Sequence, residues 1–336
     1  EMPYNDIIRK FIDMYAGRLR NQVSFMLSAC NFYMPIFEEA LDAYGLPLEL
    51  KYLPIIESAL NPSAVSRAGA SGLWQFMIGT GKIYGLESNS LVDERRDPIK
   101  ATWAAARYLK EMYDIYGDWN LVIAAYNCGP GTINKAIRRA NGETDYWKIY
   151  NYLPKETRGY VPAFIAANYV MTYYCDHNIC PMETNIPAST DTVQVNKNLH
   201  FEQIADLCNV PLDQIKSLNP QYKKQMIPGD SKPYTLRLPI DAISTFIDKQ
   251  DTIYTHRADE LFRNRKTVAV KDITPATRKT TSAVAGKGNL TYYTIKSGDT
   301  LSTIARKYGV TIKDIQRWNG MSSTKIAAGK RLKIYK

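Results

Sequence analysis

Apolar residues recur at intervals of three and four along residues 5–175, and this spacing constrains the fold more than any other feature. One clear run comprises Ala101, Ala104, Ala105, Tyr108, Leu109, Met112, Ile115 and Tyr116. Such spacing places apolar side chains on one face of an α-helix, and no strand-like alternation interrupts the region. Residues 1–180 are therefore predicted to form a helical domain that begins with an N-terminal helical extension.

The composition changes after Pro181, where two short segments resemble each other. Residues 193–239 and 292–335 are each predicted to form a strand, two short helices and a strand. At an offset of 100 residues they share Ile204-Ala205 with Ile304-Ala305, Val210 with Val310, Ile215 with Ile315 and Asn219 with Asn319. An offset this long indicates two separate modules, at 190–240 and 290–336, joined by a connecting segment and linker at 241–289.

Positive charge is concentrated near the C-terminal end of the chain. The net charge is +10, and residues 256–336 carry 18 Lys and Arg against 5 Asp and Glu. Residues 256–289 are basic, rich in Thr, Ser and Ala, and poor in apolar periodicity, which is typical of a flexible linker. Because a basic tail attracts nucleic acid, anionic lipid and wall polymers alike, charge alone identifies no partner.

Cysteine, histidine and hydropathy patterns limit the function classes. No run of about 20 apolar residues predicts a membrane span, and Glu1 suggests that an amino-terminal segment has been trimmed, in which case any export signal or lipid anchor would be missing. The five cysteines do not form a disulfide framework, although Cys175 and Cys180 could bridge locally. The three histidines lack metal-ligand spacing, so no metal or other cofactor is predicted.

One carboxyl group, that of Glu57, directly follows the apolar residues Pro54-Ile55-Ile56. Apolar neighbours exclude water, which disfavours the charged form and raises a carboxyl pKa, as a general acid near neutral pH requires. We therefore expect an elevated pKa for Glu57. On this pattern alone, the alternative is a surface glutamate beside a helix end.

Further blocks follow Glu57-Ser58 in a fixed order. They are Ser66, Gly69-Ala70, Gly72-Leu73-Trp74-Gln75-Phe76-Met77, Asp93-Glu94-Arg95-Arg96-Asp97-Pro98, Ala124-Ala125-Tyr126-Asn127-Cys128-Gly129 and Leu153-Pro154-Lys155-Glu156-Thr157-Arg158-Gly159-Tyr160-Val161-Pro162. Together, over residues 35–173, they resemble the lytic transglycosylase family with the goose-lysozyme-like fold, most closely its membrane-bound type D subgroup. The resemblance implies a mainly α, lysozyme-like catalytic domain. Cys128 replaces a small Ala of the family, which is a mild steric change.

The resemblance also implies roles for individual residues. Glu57 is the implied catalytic acid/base. The implied glycan-binding residues are Ser66, Gln75, Tyr126, Asn127 and Tyr160. Each of these has a structural alternative, since helical tyrosines often pack in a core and buried amides often satisfy hydrogen bonds. Tyr160 and Asn127 rank next after Glu57, and Ser66 has the weakest claim.

Other carboxylates compete with Glu57 for the catalytic role. They are Glu87, Asp93, Glu94, Asp97 and Glu156. Most lie in a charged run, which is usually a solvated face. Only Glu156, one turn before Tyr160, is retained as a candidate for a supporting part.

The family's chemistry implies a single carboxyl group where most glycosidases use two. Glu57 protonates the oxygen between N-acetylmuramic acid and N-acetylglucosamine, while the substrate's N-acetyl group assists at the anomeric carbon. Glu57 then takes the proton of the 6-hydroxyl, and a 1,6-anhydro ring closes. Two alternatives stay open: a muramidase that adds water on the same scaffold, and a non-catalytic peptidoglycan-binding envelope protein.

Residues 293–310, with Trp318-Asn319, Ala328-Gly329-Lys330 and Leu332, resemble a LysM domain. This implies a small α+β fold that binds chains containing N-acetylglucosamine. The inferred contacts are Gly298, Asp299, Thr300 and Ile326. The earlier copy has Asn196-Lys197-Asn198-Leu199 in place of Gly-Asp-Thr-Leu and an enlarged loop after Pro228-Gly229, so we predict a degenerate module docked on the catalytic domain as a structural spacer.

These resemblances imply peptidoglycan glycan strands as the partner. The implied location is the cell envelope, in the periplasm, with outer-membrane association as a further expectation. Residues 1–255 carry 25 Lys and Arg against 28 Asp and Glu, which argues against a nucleic-acid-binding surface. The sequence gives no indication of the oligomeric state.

Overall fold

The computed structural model describes residues 2–184, 186–187, 189–262, 290–296, 299–319, 321, 323–324 and 326–335. The chain divides into two compact units, residues 1–275 and 276–336. The helices of the N-terminal part are α1 (Asp6–Ala16), α2 (Arg20–Ala43), α3 (Leu53–Ser58), α4 (Ile78–Ile83), α5 (Pro98–Tyr116), α6 (Trp119–Cys128), α7 (Pro130–Arg139), α8 (Tyr146–Ile149) and α9 (Lys155–Thr172). Within the part of the chain that is described, no helix is both long enough and apolar enough to cross a membrane.

Helix α5 packs against α2 and α6 in the helical domain. Its buried face contains Ala101, Ala104, Ala105, Ala106, Leu109 and Met112. Because most of these side chains are small, α2 and α6 approach α5 closely, and α6 and α1 in turn pack against α9. Asp97 caps the start of α5 by accepting hydrogen bonds from the amides of Ile99 and Lys100. This packing fixes α3, α6 and α9 around one region of the domain.

A second module follows the helical domain within the first compact unit. Its elements are β1 (Thr190–Val195), β2 (Asn198–His200), α10 (Phe201–Cys208), α11 (Leu212–Leu218), β3 (Met226–Pro228), β4 (Tyr234–Pro239), α12 (Ile240–Asp248), α13 (Gln250–Thr255) and α14 (Ala258–Leu261). Strand β1 pairs antiparallel with β4, and β2 with β3. Ala242, Phe246 and Ile253 are buried in the core of this module, although the connecting segment was predicted to begin at residue 241. We call residues 189–262 the docked module; the rest of the predicted linker, 263–289, lies outside the described residues.

The docked module packs against the helical domain through the segment 87–96. Leu91 and Val92 of that segment are buried in the module's hydrophobic core. Val92 forms a β-bridge with Tyr222, and the amide of Lys223 donates to the carbonyl of Leu91 at 2.6 Å. The two parts therefore share both apolar packing and backbone hydrogen bonds.

The charged run in this segment is buried, so the prediction of a solvated face was wrong there. Asp93, Glu94 and Arg95 are only 2%, 5% and 5% exposed. Arg95 pairs with Asp93, and Lys100 pairs with Glu94 at 2.5 Å. The charges are buried because they neutralise one another beneath the docked module, which the local sequence does not reveal.

The second compact unit contains β5 (Leu290–Thr294), α15 (Leu301–Tyr308), α16 (Ile312–Trp318) and β6 (Arg331–Tyr335), with β5 and β6 antiparallel. It repeats one polar detail of the docked module. The Asn319 side chain donates to the carbonyls of Ile315 and Lys333 and accepts from the amide of Lys333. Asn219 makes the equivalent three bonds, with Ile215 and Arg237. In both copies this asparagine joins the second helix to the last strand, and the predicted fold class, mainly α with two small α+β modules, is confirmed.

A test of the close backbone packing uses two glycines with similar backbone angles. Gly69 and Gly72 have φ of 88° and 87°, but a Cβ on Gly72 would lie 1.7 Å from the carbonyl oxygen of Arg95, whereas a Cβ on Gly69 meets nothing within 4 Å. Gly69→Ala should lower the free energy of unfolding by about 1 kcal/mol, the cost of a left-handed alanine. Gly72→Ala should lower it by roughly 4 kcal/mol or prevent folding. Equal losses in urea denaturation would contradict the collision.

Candidate active site

Glu57 lies near the end of α3, a short helix whose Leu53, Pro54 and Ile55 are buried. The helix stops because Ala59 and Leu60 adopt positive φ, at 51° and 58°, so the chain turns sharply after Ser58. Two consecutive left-handed residues other than glycine are costly, and such strain is found most often at functional sites. The turn leaves the Glu57 carboxyl at the edge of a cavity.

Residues 64–76 form a hairpin beside α3, which we call the cleft hairpin. The Ser58 hydroxyl donates to the carbonyls of Pro54 and Leu73, both at 3.0 Å, and so ties α3 to it. Ser66 Oγ accepts from the amide of Ala70 at 3.0 Å. Gln75, with φ of 49°, donates its side-chain amide to the carbonyls of Ala64 and Gly72. Ser66 and Gln75 thus support the shape of the hairpin that presents them.

The Glu57 carboxyl opens into a cavity of about 460 Å³. One wall comes from α1 and α2, one from α3, and one from the cleft hairpin. The lining residues are Tyr15, Leu19, Gln22, Met26, Ile55, Ile56, Glu57, Ser58, Ala59, Ala64, Val65, Ser66 and Gln75. The cavity therefore brings together Glu57, Ser66 and Gln75 among the residues predicted from sequence.

Two tyrosines, on α6 and α9, fix the position of Glu57 and of the cleft hairpin. The Tyr160 hydroxyl, on α9, donates a hydrogen bond to Glu57 Oε1. The Tyr126 hydroxyl, on α6, donates to the carbonyl of Trp74 at 2.7 Å and so fixes the cleft hairpin. Burial first, and the Glu57 charge second, raise the pKa of both tyrosines well above the usual value, so both remain hydrogen-bond donors.

Asn127 is positioned through a residue that sequence analysis missed. Its Oδ1 accepts from the hydroxyl of Thr157 at 2.9 Å. Thr157 is buried and lies on α9 one turn before Tyr160. The interval of three on a helix was the available signal, since residues so spaced share a face.

The electrostatic setting of Glu57 raises its pKa to about 7. Desolvation is the largest cause, because removal from water disfavours the charged carboxylate. The hydrogen bond from Tyr160 acts in the opposite direction, and the negative charge of Glu156 raises the pKa further. Glu57 is consequently protonated in a substantial fraction of molecules near neutral pH, as a general acid requires.

The residues inferred to bind glycan in the second compact unit differ in their surroundings. Asp299 Oδ2 accepts from the amide of Lys296 and the hydroxyl of Tyr293, both at 2.8 Å, and Thr300 Oγ1 accepts from the amide of Thr303. These side chains therefore shape the turn before α15. Ile326 packs against the module core, and Gly298 lies outside the described residues.

The corresponding turn of the docked module is closed by its own loop. Asn198 donates its side-chain amide to Asp230 Oδ2 at 2.5 Å and its backbone amide to Oδ1 at 3.1 Å. Gly229 approaches so closely that a Cβ there would lie 2.2 Å from the carbonyl oxygen of Lys197. The enlarged loop therefore closes this turn, and the degeneracy of the module in glycan binding stays a prediction.

Comparisons with known proteins match each part of the chain. Residues 34–149 match the transglycosylase SLT domain, 189–255 the LysM-like domain of lytic transglycosylase MltD, and 293–334 the LysM domain. The soluble lytic murein transglycosylase of Escherichia coli is 33% identical over 124 residues, 35% of this chain and 19% of that protein. The solved 70 kDa soluble lytic transglycosylase of Escherichia coli is 29% identical with a TM-score of 0.37, over 43% of this chain and 24% of that one.

One curated relative matches almost the whole chain. The membrane-bound lytic murein transglycosylase D of Escherichia coli is 32% identical over 337 residues, which cover 99% of this chain and 70% of the relative. This match includes the helical domain and both modules. The chain belongs to the lytic murein transglycosylase family.

Proposed function

We propose that this lytic transglycosylase cleaves the β-1,4 bond between N-acetylmuramic acid and N-acetylglucosamine in peptidoglycan and leaves 1,6-anhydro ends, with Glu57 as its single acid/base. The observation that carries the proposal is the carboxyl of Glu57, which opens into the cavity with a pKa of about 7 and one oxygen engaged by Tyr160. Such a group can both give and take a proton near neutral pH.

The geometry supports a division of labour between the two carboxyl oxygens. Because Oε1 accepts the Tyr160 hydrogen bond, Oε2 is the oxygen that can carry the acidic proton. In the first step this proton passes to the glycosidic oxygen as the bond to the anomeric carbon breaks, with assistance from the N-acetyl group of the substrate. In the second step Glu57 removes the proton of the 6-hydroxyl while that oxygen bonds to the anomeric carbon. Glu57 ends the cycle protonated, as it began.

The supporting residues act on the position of Glu57 and of the sugar. Tyr160 holds the carboxyl, Tyr126 fixes the cleft hairpin through Trp74, and the hairpin presents Ser66 and Gln75 to the cavity. We propose that Ser66, Gln75, Tyr126, Asn127 and Tyr160 line or support the glycan site. A hydrolase on this scaffold would use Glu57 to activate water in place of the 6-hydroxyl, and Glu156 is the acidic neighbour that raises the pKa of Glu57.

The chain acts in the cell envelope, where peptidoglycan is found. We propose the periplasm as its compartment and attachment to the outer membrane; the name of the relative, which calls it membrane-bound, supports attachment. We also propose that the second compact unit binds glycan through the turn that contains Gly298, Asp299 and Thr300 and through the loop near Ile326. The side-chain bonds of Asp299 and Thr300 support this proposal because they fix the backbone at the start of α15.

The first test compares Glu57→Gln with Glu156→Gln by mass spectrometry of muropeptides released from purified peptidoglycan. Loss of the acid should reduce the release of anhydro products by about 10³-fold, while Glu156→Gln should keep most of the activity. Reducing-end products from the wild-type protein would favour a hydrolase that retains Glu57, and equal losses in the two variants would favour a mechanism with two carboxylates. No release by wild type would favour a peptidoglycan-binding protein.

The pH dependence provides a second test. Since the acid must be protonated, kcat/KM should be constant below pH 7 and fall as pH rises through about 7. Tyr160→Phe removes a bond that favours the charged form, so its decline should move to higher pH. Glu156→Gln removes a like charge, so its decline should move to lower pH. Shifts of the same sign in both variants would contradict this account of the site.

The same titration predicts a pH-dependent stability. Between about pH 4.5 and pH 7, Glu57 ionises in the unfolded chain but keeps its proton in the folded protein, so its contribution to stability falls as pH rises and is constant above that window. The free energy of unfolding of Glu57→Gln should therefore increase relative to that of wild type as pH rises across this range, by up to about 3 kcal/mol. Urea denaturation at pH 4.5 and pH 8 measures the difference. A difference independent of pH would show that the carboxyl titrates normally.

A further inference from the structure

Arg95 joins two separated points of the cleft hairpin with one side chain. Arg95 Nη1 donates to the carbonyls of Gly69 and Phe76, at 2.8 and 2.9 Å. These carbonyls lie at the turn of the hairpin and at its last residue. A guanidinium presents donors in a fixed plane, so one group sets the distance between the two points. Gln75, which faces the Glu57 cavity, is the residue before Phe76.

Asp93 fixes the orientation of this guanidinium. Its two oxygens accept from Arg95 Nε and Nη2, both at 2.8 Å, in a bidentate pair. Burial alone would raise the pKa of Asp93, but the hydrogen bonds and charge of Arg95, with the charge of Lys223, lower it below its usual range. Asp93 therefore remains charged, and Arg95 remains locked in one plane.

The docked module holds Asp93 from the other side. The amide of Asp93 donates to the carbonyl of Gln221 at 2.8 Å. Lys223 Nζ lies 3.9 Å from Asp93 Oδ2 and donates to the carbonyl of Asn89 at 2.9 Å. Contacts therefore run without a gap from the docked module through Asp93 and Arg95 to the wall of the cavity that contains Glu57.

A buried ion pair is weak evidence for stability, because desolvation offsets much of its attraction. What it does provide is a fixed geometry, since a charged group that leaves its partner is left buried and unpaired. This pair lies between a module whose turn at residues 196–198 is closed by its own loop and a hairpin that lines the catalytic cavity. The location of the Asp93–Arg95 pair therefore indicates that it fixes the position of the cleft hairpin.

We propose that Arg95 is a positioning residue for the cleft hairpin and that the docked module, through Lys223 and Gln221, holds Arg95 in place by way of Asp93. The docked module then serves turnover by shaping the cleft and does not serve the capture of glycan. This inference rests on the proposed transglycosylase function.

The test compares Lys223→Met with Lys232→Met. Both lysines belong to the docked module and pair with the helical domain, but Lys232 contacts Glu87 at 2.7 Å and touches neither Asp93 nor Arg95. Lys223→Met should lower kcat for anhydro-product release by roughly threefold to thirtyfold, with KM changed less than about twofold. It should also speed amide hydrogen exchange in residues 69–76. Lys232→Met should leave kcat and the exchange rates at wild-type values.

Arg95→Lys keeps the charge but cannot bind both carbonyls and the carboxylate at once, so it should lower kcat more than Lys223→Met. If Arg95→Lys does not fold, the partly exposed Lys223 still decides the question. Wild-type kcat in Lys223→Met, or equal losses in the two lysine variants, would overturn the inference. If wild type itself releases no anhydro products, the proposed function fails. Faster amide exchange in Lys223→Met but not in Lys232→Met would then still support the positioning of the cleft hairpin by the docked module.

Discussion

The structure depends on keeping one carboxyl group largely dehydrated while leaving it within reach of a polymer. Glu57 meets both conditions because α3 buries the residues before it and the left-handed turn at Ala59 and Leu60 directs the chain away immediately after it. The Tyr160 hydroxyl then donates a hydrogen bond that fixes the position of the carboxyl relative to α9. Helices from both ends of the domain, α1 and α9, pack together behind this contact.

The balance of effects on Glu57 matters more than any one of them. Desolvation raises the pKa of the carboxyl, and the Tyr160 hydrogen bond moderates that effect. Tyr160 can do this because burial keeps its hydroxyl protonated, and burial likewise keeps the Tyr126 hydroxyl that fixes the cleft hairpin protonated. The same low-water environment that makes Glu57 an acid thus makes its neighbours reliable donors.

Much of the fold could be predicted from the sequence because its signals are local. The three-and-four spacing gave the helical domain, and the offset repeat gave both modules, down to Asn219 and Asn319, whose matching bonds explain why the residue recurs. Glu57 was found because apolar residues precede it directly. In contrast, the burial of Asp93 and Arg95 depends on Gln221 and Lys223, which lie more than a hundred residues further along the chain.

Other features were hidden for the same physical reason. Helix α12 begins directly after Pro239, where a small module would be expected to end, yet Phe246 completes the module's core by tertiary packing. Thr157 looked like an ordinary helical threonine because its partner, Asn127, is on another helix. Either feature could be predicted only if it were known which elements of the chain pack against each other.

The bridge between Val92 and Tyr222 has a consequence for how such chains can be rearranged in evolution. The family matches end at residue 149 and resume at residue 189, which suggests a natural point for recombination. A crossover there would separate Asp93 and Arg95 from Gln221 and Lys223 and expose Leu91 and Val92 to water. The helical domain and the docked module therefore form one evolutionary unit, because exchange of either part alone would break this interface.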